Sequence, residues 1–308
     1  MKIGILEPSD FSSIAIEKLD NIGQVNNFSG SDLNTFLSDK DILFIRLGYA
    51  ISKDFISMAK NLKYLCTPTT GLNHIDLKEC KARNIEVISL KGETDFLSTI
   101  RATPEHTIGL TISLLRNYKH CFLSDNNESW NRDNCKGFEL YKNTIGIVGF
   151  GRVGKLLSKY FQAFGSSVFF YDTNDLIKEK NNAVRITTLA QLIDMSNIVI
   201  LSASYSKSNH EFFSKNYIDS LKGKYFINTA RGELVDELYL IDKISVGHFK
   251  GVALDVLQNE QTQSNKEKLI SASLNENCII TPHISGATYS SMHKTEEFIA
   301  LKICNLIM

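Results

Sequence analysis

The sequence predicts an α/β protein built on parallel sheets, and two observations carry that prediction. Short apolar runs rich in Val, Ile and Phe alternate with segments of helical period from end to end, as expected of strands covered on both faces by crossover helices. The strand-like runs also fall into two series separated by a break, so the 308 residues read as two domains of ordinary size.

In the first series, strands are expected at Lys2–Leu6, Val25–Phe28, Ile42–Ile45, Tyr64–Cys66 and Glu86–Ile88, with helices in the gaps. The rhythm breaks at Lys91–Thr103, which marks a domain boundary. A long helix then runs over Pro104–Tyr118 with proline in its first turn. The second series comprises Thr144–Gly149, Val168–Tyr171, Val184–Ile186, Ile198–Leu201, Tyr225–Asn228, Val252–Leu254 and Cys278–Ile280, enough for one doubly wound parallel sheet. Asn259–Lys268 is polar enough to be a loop, and Ser285–Thr288 is rich in turn residues. The apolar pattern of Met292–Ile307 describes a last helix packing back on the fold.

Composition narrows the function by exclusion. Lys and Arg total 34 and Asp and Glu total 34, a balance without the electrostatic footprint of a nucleic-acid partner or an anionic membrane. The start, MKIGILEPSD, turns polar after Leu6, and no apolar run approaches the roughly 18 residues of a membrane span. The expectation is a cytoplasmic protein without a signal peptide. The cysteines form no C-x-x-C pair and the histidines never take zinc-ligand spacing, so no metal is expected.

The stretch T-I-G-I-V-G-F-G-R-V-G-K sets G-x-G-x-x-G (Gly149, Gly151, Gly154) directly after a buried strand and at the start of a helix. Gly149 makes the tight turn, Gly151 lets backbone approach a pyrophosphate, and Gly154 lets helix and strand pack closely, while the helix N-terminus offers amide donors. The helix ends at Gly165, and the next strand, V-F-F-Y-D, finishes on Asp172, about 20 residues beyond the loop as a dinucleotide site requires. Asp172 is placed to accept hydrogen bonds from a ribose and to repel a 2′-phosphate. No arginine follows it among Thr173, Asn174 and Asp175, so NAD is expected over NADP.

Three further residues lie just beyond strands of the second series: Arg231 in N-T-A-R-G, Glu260 after G-V-A-L-D-V-L, and His283 in T-P-H-I-S-G-A. Carboxyl ends of strands are where open α/β sheets bind ligands. Hydride transfer to a keto acid needs a proton donor, for which His283 is the candidate. Glu260 is the carboxylate to hold its other ring nitrogen, and Arg231 the guanidinium to grip a substrate carboxylate and polarise the carbonyl. The remaining histidines, His106, His120, His210, His248 and His293, read as structural or surface residues.

Together with T-G-L-N-H-I-D (Thr70–Asp76), A-T-P-E-H-T-I-G-L (Ala102–Leu110) and G-V-A-L-D-V-L-Q-N-E, these motifs resemble the D-isomer-specific 2-hydroxyacid dehydrogenase family along nearly the whole chain. The resemblance implies two Rossmann-like domains. One is an NAD-binding domain over 101–284; the other is a smaller, flavodoxin-like substrate domain made of 1–100 and 285–308, with the active site in a cleft. It places Arg231, Glu260 and His283 at the catalytic positions. It also implies that Thr70, Arg152, Val153, Ala203, Thr229, Ala230 and Asp255 line the cofactor, with Asp255 at the nicotinamide carboxamide. The backbone of Gly71 and Leu72 would take the substrate carboxylate, and a homodimer joined through the nucleotide domain is implied. A phosphorylated acid would need extra cations, for which Arg46, His74 and Arg101 are candidates.

Several positions depart from the family pattern. Ser202–Tyr205 stands where relatives often carry His-x-Pro-Leu, Asn73 and His74 where many have Asp-Asn, and Gln261 where a proline usually follows the glutamate. These departures bear on cofactor affinity and substrate choice. The end at Met308 leaves no room for the regulatory domain of some phosphoglycerate dehydrogenases, so serine feedback is not expected. The expected activity is hydride transfer between NAD(H) and C2 of a small D-2-hydroxy acid or 2-keto acid, with a 3-phosphoglycerate-like acid among the candidates. The alternatives are an NAD(H)-sensing regulatory protein of the same fold, like the C-terminal-binding-protein corepressors, and a formate or phosphonate dehydrogenase relative.

Overall fold

A computed structural model describes residues 1–123, 132–177, 182–260, 265–274 and 276–308. The chain divides into two compact units, one of Met1–Ile100 with Ala287–Met308 and one of Arg101–Gly286.

The first unit holds β1 (Lys2–Ile5), β2 (Gln24–Asn27), β3 (Ile42–Phe44), β4 (Tyr64–Cys66) and β5 (Glu86–Ile88) in one parallel sheet of order β2-β1-β3-β4-β5. This is the flavodoxin-like order, and its direction reverses between β1 and β3. Period-two alternation sends successive side chains to opposite layers. Ile42 and Phe44 enter one cluster with Ile3, Ile5 and Cys66, whereas Leu43 and Ile45 enter the other with Leu65 and Ile75. The last helix, Tyr289–Ile307, starts on Thr288, whose side chain accepts from the Ser291 amide, and it buries Ile299, Ala300 and Ile303 in the first cluster. It begins three residues before the apolar pattern does, because its first turn is polar.

The second unit holds β6 (Thr144–Val148), β7 (Ser167–Tyr171), β8 (Val184–Arg185), β9 (Ile198–Leu201), β10 (Tyr225–Asn228), β11 (Gly251–Leu254) and β12 (Cys278–Ile280). They form one parallel sheet in the order β12-β11-β10-β9-β6-β7-β8. The chain winds one way from β6 to β8 and the other way from β9 to β12, the doubly wound Rossmann arrangement with its switch point between β6 and β9. Ile147, Ile198, Ile200 and Ile227 are completely buried on one face, Val199, Leu201 and Phe226 on the other.

Two local expectations need correction. Within the Lys91–Thr103 break, Thr94–Leu97 forms a short helix that buries Leu97. The polar stretch expected as a loop to Lys268 gives way at Lys266 to a helix, Lys266–Ser273, whose Leu269 enters the core. One apolar side chain in a polar run is too weak a periodic signal to read. Gln261 lies outside the described residues. No helix among the described residues is long and apolar enough to cross a membrane.

Candidate active site

The glycine loop leaves β6 at the switch point, and its three glycines have different reasons to be glycine. Gly149 has φ +92°, and a Cβ on it would stand 2.6 Å from the backbone of Ala203, which follows β9. A Cβ on Gly154 would stand 2.4 Å from the Gly149 carbonyl oxygen, so this residue lets the helix Arg152–Ala163 close on the strand. At Gly151 a Cβ would meet nothing within 4 Å. Its bareness serves nothing in the fold itself, and the space beside it suits a pyrophosphate. The helix it precedes has neither a side-chain cap nor an acid in its first turn, so the first amides keep their affinity for an anion. Burial, then the charge of Arg101, lowers the pKa of Arg152, and Val153 packs into the core.

Asp172, at the end of β7, accepts from the Phe150 amide through Oδ2 (2.7 Å) and from the Asn174 amide through Oδ1 (2.9 Å). The acid thus fastens the glycine loop to the neighbouring strand and retains lone pairs for ribose hydroxyls. No arginine directly follows Asp172 in the sequence, but the fold brings Arg185 of β8 to this loop. Its guanidinium donates to the carbonyls of Asp172 (2.6 Å), Ile177 (3.0 Å) and Asn174 (3.2 Å) and pairs with Asp175 (2.9 Å). A cation committed to three carbonyls braces the loop.

Arg231 lies beyond β10 in a turn built by Asn228, whose side chain accepts from the Ala230 amide (3.0 Å) and donates to the Arg231 carbonyl (2.9 Å). Its guanidinium donates to the Ala230 carbonyl (2.6 Å). Burial lowers its pKa, opposed by the charges of Glu260, Glu233 and Asp255. A Cβ on Gly232 would stand 2.0 Å from the carbonyl carbon of Leu257, so the turn carrying Arg231 and the segment leading to Glu260 meet backbone to backbone. Glu260 accepts from the Leu257 amide through Oε1 (3.2 Å) and contacts Nδ1 of His283 through Oε2 at 2.7 Å. A carboxylate can only accept, so Nδ1 carries the hydrogen and Nε2 is the nitrogen left for chemistry. His283 itself sits in the left-handed region (φ +53°), with its amide donating to the carbonyl of Asp255 (2.8 Å). The structure therefore brings Glu260 and His283 into contact and sets Arg231 within the field of the same carboxylates.

Two of the residues expected at the cofactor, Asp255 and Thr229, make hydrogen bonds within the unit. Asp255 is 1% exposed. Its Oδ1 accepts from the Thr281 hydroxyl (2.5 Å) and the Ile284 amide (2.9 Å), and its Oδ2 from the amide (2.9 Å) and hydroxyl (2.5 Å) of Ser285. Burial alone would raise its pKa, but bonds from His106, Ser285 and Thr281 outweigh that and hold it at about 2. The Thr229 hydroxyl faces Thr107 at 2.9 Å. Ala230 and Ala203 pack with the core cluster behind β9 and β10. Among the departures, the Ser202 hydroxyl is buried without a hydrogen-bond partner among the described residues.

In the first unit, Thr70, Gly71 and Leu72 follow β4, and the Gly71 carbonyl accepts from the Thr69 hydroxyl (3.0 Å). Neither the Gly71 nor the Leu72 amide has a partner among the described residues. Arg46 is not available as an extra cation. Its Nε (3.0 Å) and Nη2 (2.6 Å) bind the buried Glu296, and Nη1 donates to the Ser9 carbonyl.

Residues 108–285 match the family model for the D-isomer specific 2-hydroxyacid dehydrogenase NAD binding domain. The chain belongs to that family. Residues 108–285 are thus its NAD-binding domain, carrying the glycine loop and Asp172. Among relatives, D-3-phosphoglycerate dehydrogenase of Bacillus subtilis (strain 168) is 31% identical over 261 residues, covering 83% of this chain and 47% of that one. Hydroxypyruvate reductase of Thermotoga maritima is 28% identical over 274 residues, covering 88% and 86%. The chain spans about half the length of its phosphoglycerate dehydrogenase relatives from B. subtilis (47%) and Methanocaldococcus jannaschii (57%). A D-lactate dehydrogenase from Aquifex aeolicus, solved with NAD and lactic acid, shares the family fold over the whole chain and 95% of its own (TM-score 0.84, 24% identity).

Proposed function

We propose that the chain is an NAD-dependent dehydrogenase acting between C2 of a small D-2-hydroxy acid and the corresponding 2-keto acid. The observation that carries the reading is the 2.7 Å contact between Glu260 and Nδ1 of His283 at the carboxyl edge of a dinucleotide-binding sheet. When bound, the nicotinamide supplies or accepts the hydride. His283 moves the proton: its Nε2 donates to the carbonyl oxygen in reduction and takes the hydroxyl proton in oxidation. Glu260 fixes the ring's tautomer and offsets its positive charge. Arg231 grips the substrate carboxylate and polarises the carbonyl, a task suited to its planar donors. The amides of Gly71 and Leu72, without a partner among the described residues, are assigned to the substrate carboxylate, and Thr70 to the cofactor. A cytoplasmic homodimer completes the reading, by family resemblance.

Purified protein assayed with NADH against pyruvate, glyoxylate, hydroxypyruvate and 3-phosphohydroxypyruvate tests the proposal. Turnover of at least one, with strong preference for NADH over NADPH, is the expected result. Tight NADH binding without turnover of any would reject it in favour of a sensing protein, and oxidation of formate or phosphite would redirect it to those relatives.

A further inference from the structure

The A-T-P-E-H-T motif at the start of the helix Ala102–Leu115 has no part in the mechanism above, yet its His106 and Thr107 touch both loops that the mechanism uses. We propose that His106 and Thr107 are positioning residues that brace the turn carrying Arg231 and the loop carrying His283, and so set the acid and the guanidinium in register. The proposal rests on the dehydrogenase reading for its effect on catalysis, though not for its geometry.

His106 acts on the His283 loop. Its Nε2 lies 3.3 Å from the Thr281 hydroxyl oxygen and 3.4 Å from Oδ1 of Asp255. The Thr281 hydroxyl hydrogen is already committed to Asp255, so the imidazole must be the donor, sharing Nε2–H between the two oxygens. Asp255 in turn accepts from the Ile284 and Ser285 amides, and its own carbonyl accepts from the His283 amide. Every backbone donor from 283 to 285 thus reaches Asp255, that of His283 being shared with the Thr281 carbonyl (3.0 Å). The left-handed backbone of His283 is strained and persists only while its surroundings hold it. A buried acid held on several sides supplies that restraint, and His106 is the holder that comes from another element.

Thr107 acts on the Arg231 turn. Its hydroxyl donates to the Thr103 carbonyl (2.8 Å), so across the 2.9 Å contact with Thr229 it can only accept, and the Thr229 hydroxyl donates. Thr229 lies two residues before Arg231, and both hydroxyls are in buried residues, where a lost partner is costly. Consecutive residues of one helix therefore tie down two loops that are 52 residues apart in sequence (283 − 231).

The test uses His106→Ala and Thr107→Val, with His106→Gln and Thr107→Ser as conservative partners. The Ala and Val variants are expected to lower kcat about ten- to a hundredfold, the scale of a misplacement remote from the chemistry, with KM and NADH Kd changed by less than about twofold. The Gln and Ser variants, which keep a donor or a hydroxyl, are expected to recover most of kcat. Amide exchange of Ile284 and Ser285 should speed up in His106→Ala while that of 149–154 stays as in the wild type, a readout that needs no turnover. If His106→Ala does not fold, His106→Asn, whose amide is too short to reach Asp255, takes its place. Unchanged exchange together with unchanged kcat overturns the brace and leaves the dehydrogenase reading intact. Failure of both conservative variants to recover kcat also overturns it, because the role would then be packing. If exchange responds but the wild type reduces no keto acid, the brace stands and the proposed chemistry falls.

Discussion

Both units wind a parallel sheet around a switch point, at β1/β3 in one and β6/β9 in the other, and the two crevices are used in opposite ways. Beyond β1, the Glu7 carboxylate accepts from the amides of Arg46 (2.5 Å) and Gly48 (2.9 Å), which follow β3. A Cβ on Gly48 would stand 2.7 Å from Glu7 Oε1. Beyond β6 the corresponding loop carries no acid of its own, and the space beside Gly151 is open. Topology supplies amide donors in both places. In the first unit the chain fills the position with its own carboxylate, and in the second it leaves the position for a ligand's phosphate.

The largest effect is expected in the second unit. His283→Asn should lower kcat by about 10²–10⁴-fold, as for loss of a general acid, with NADH binding retained by fluorescence titration. A residual kcat near the wild type would remove His283 from the chemistry. At the filled crevice, Glu7→Ala leaves the part-buried Arg46 amide without its acceptor and the exposed Gly48 amide to water, and should cost about 1–2 kcal/mol in denaturant unfolding, with NADH Kd unchanged. A change in NADH affinity would show that the two crevices are not independent.

Asp255 extends the contrast, as an acid used inside the second unit. Its folded pKa of about 2 lies below its ordinary 3.8. Its stabilisation is therefore complete above about pH 4 and lost as pH falls toward 2, a swing of about 2 kcal/mol that Asp255→Asn should abolish. Chemical unfolding midpoints across that range measure it. Gly151→Ala should weaken NADH about tenfold at constant melting temperature, whereas Gly149→Ala should lower the melting temperature, because only at Gly149 does the fold itself exclude a side chain. The smallest effect is expected for Glu237→Gln. Burial raises the pKa of Glu237, its Oε2 accepts from the Gln258 amide (2.6 Å) and its Oε1 from the Asn265 side chain (2.8 Å). A glutamine keeps one acceptor, so kcat and stability should change by less than about 1 kcal/mol, against more for Glu237→Ala.

The strands were readable because a parallel strand buried on both faces is a contiguous apolar run whatever its neighbours, so Tyr64–Cys66, Ile198–Leu201 and Tyr225–Asn228 needed no knowledge of pairing. The helix Lys266–Ser273 was not, since Leu269 alone marks its inner face. In the site, position after a strand singled out Arg231, Glu260 and His283, but only coordinates join the last two. The hydrogen bonds of Thr229 to Thr107 and of Asp255 to Ser285 were not legible, because residue type does not tell which way a hydroxyl or carboxylate turns. His106 was passed over for the same reason. A histidine one residue after a helical glutamate looks solvated until β11 and the loop after β12 are placed beside it.

The left-handed backbone of His283 also shapes what evolution can do with this scaffold. Asparagine tolerates that conformation far better than most residues, so a single codon change could silence the acid without disturbing the loop. On the proposed dehydrogenase reading, one substitution separates this chain from a protein that has lost its proton donor and keeps Gly151 and Asp172 for the cofactor.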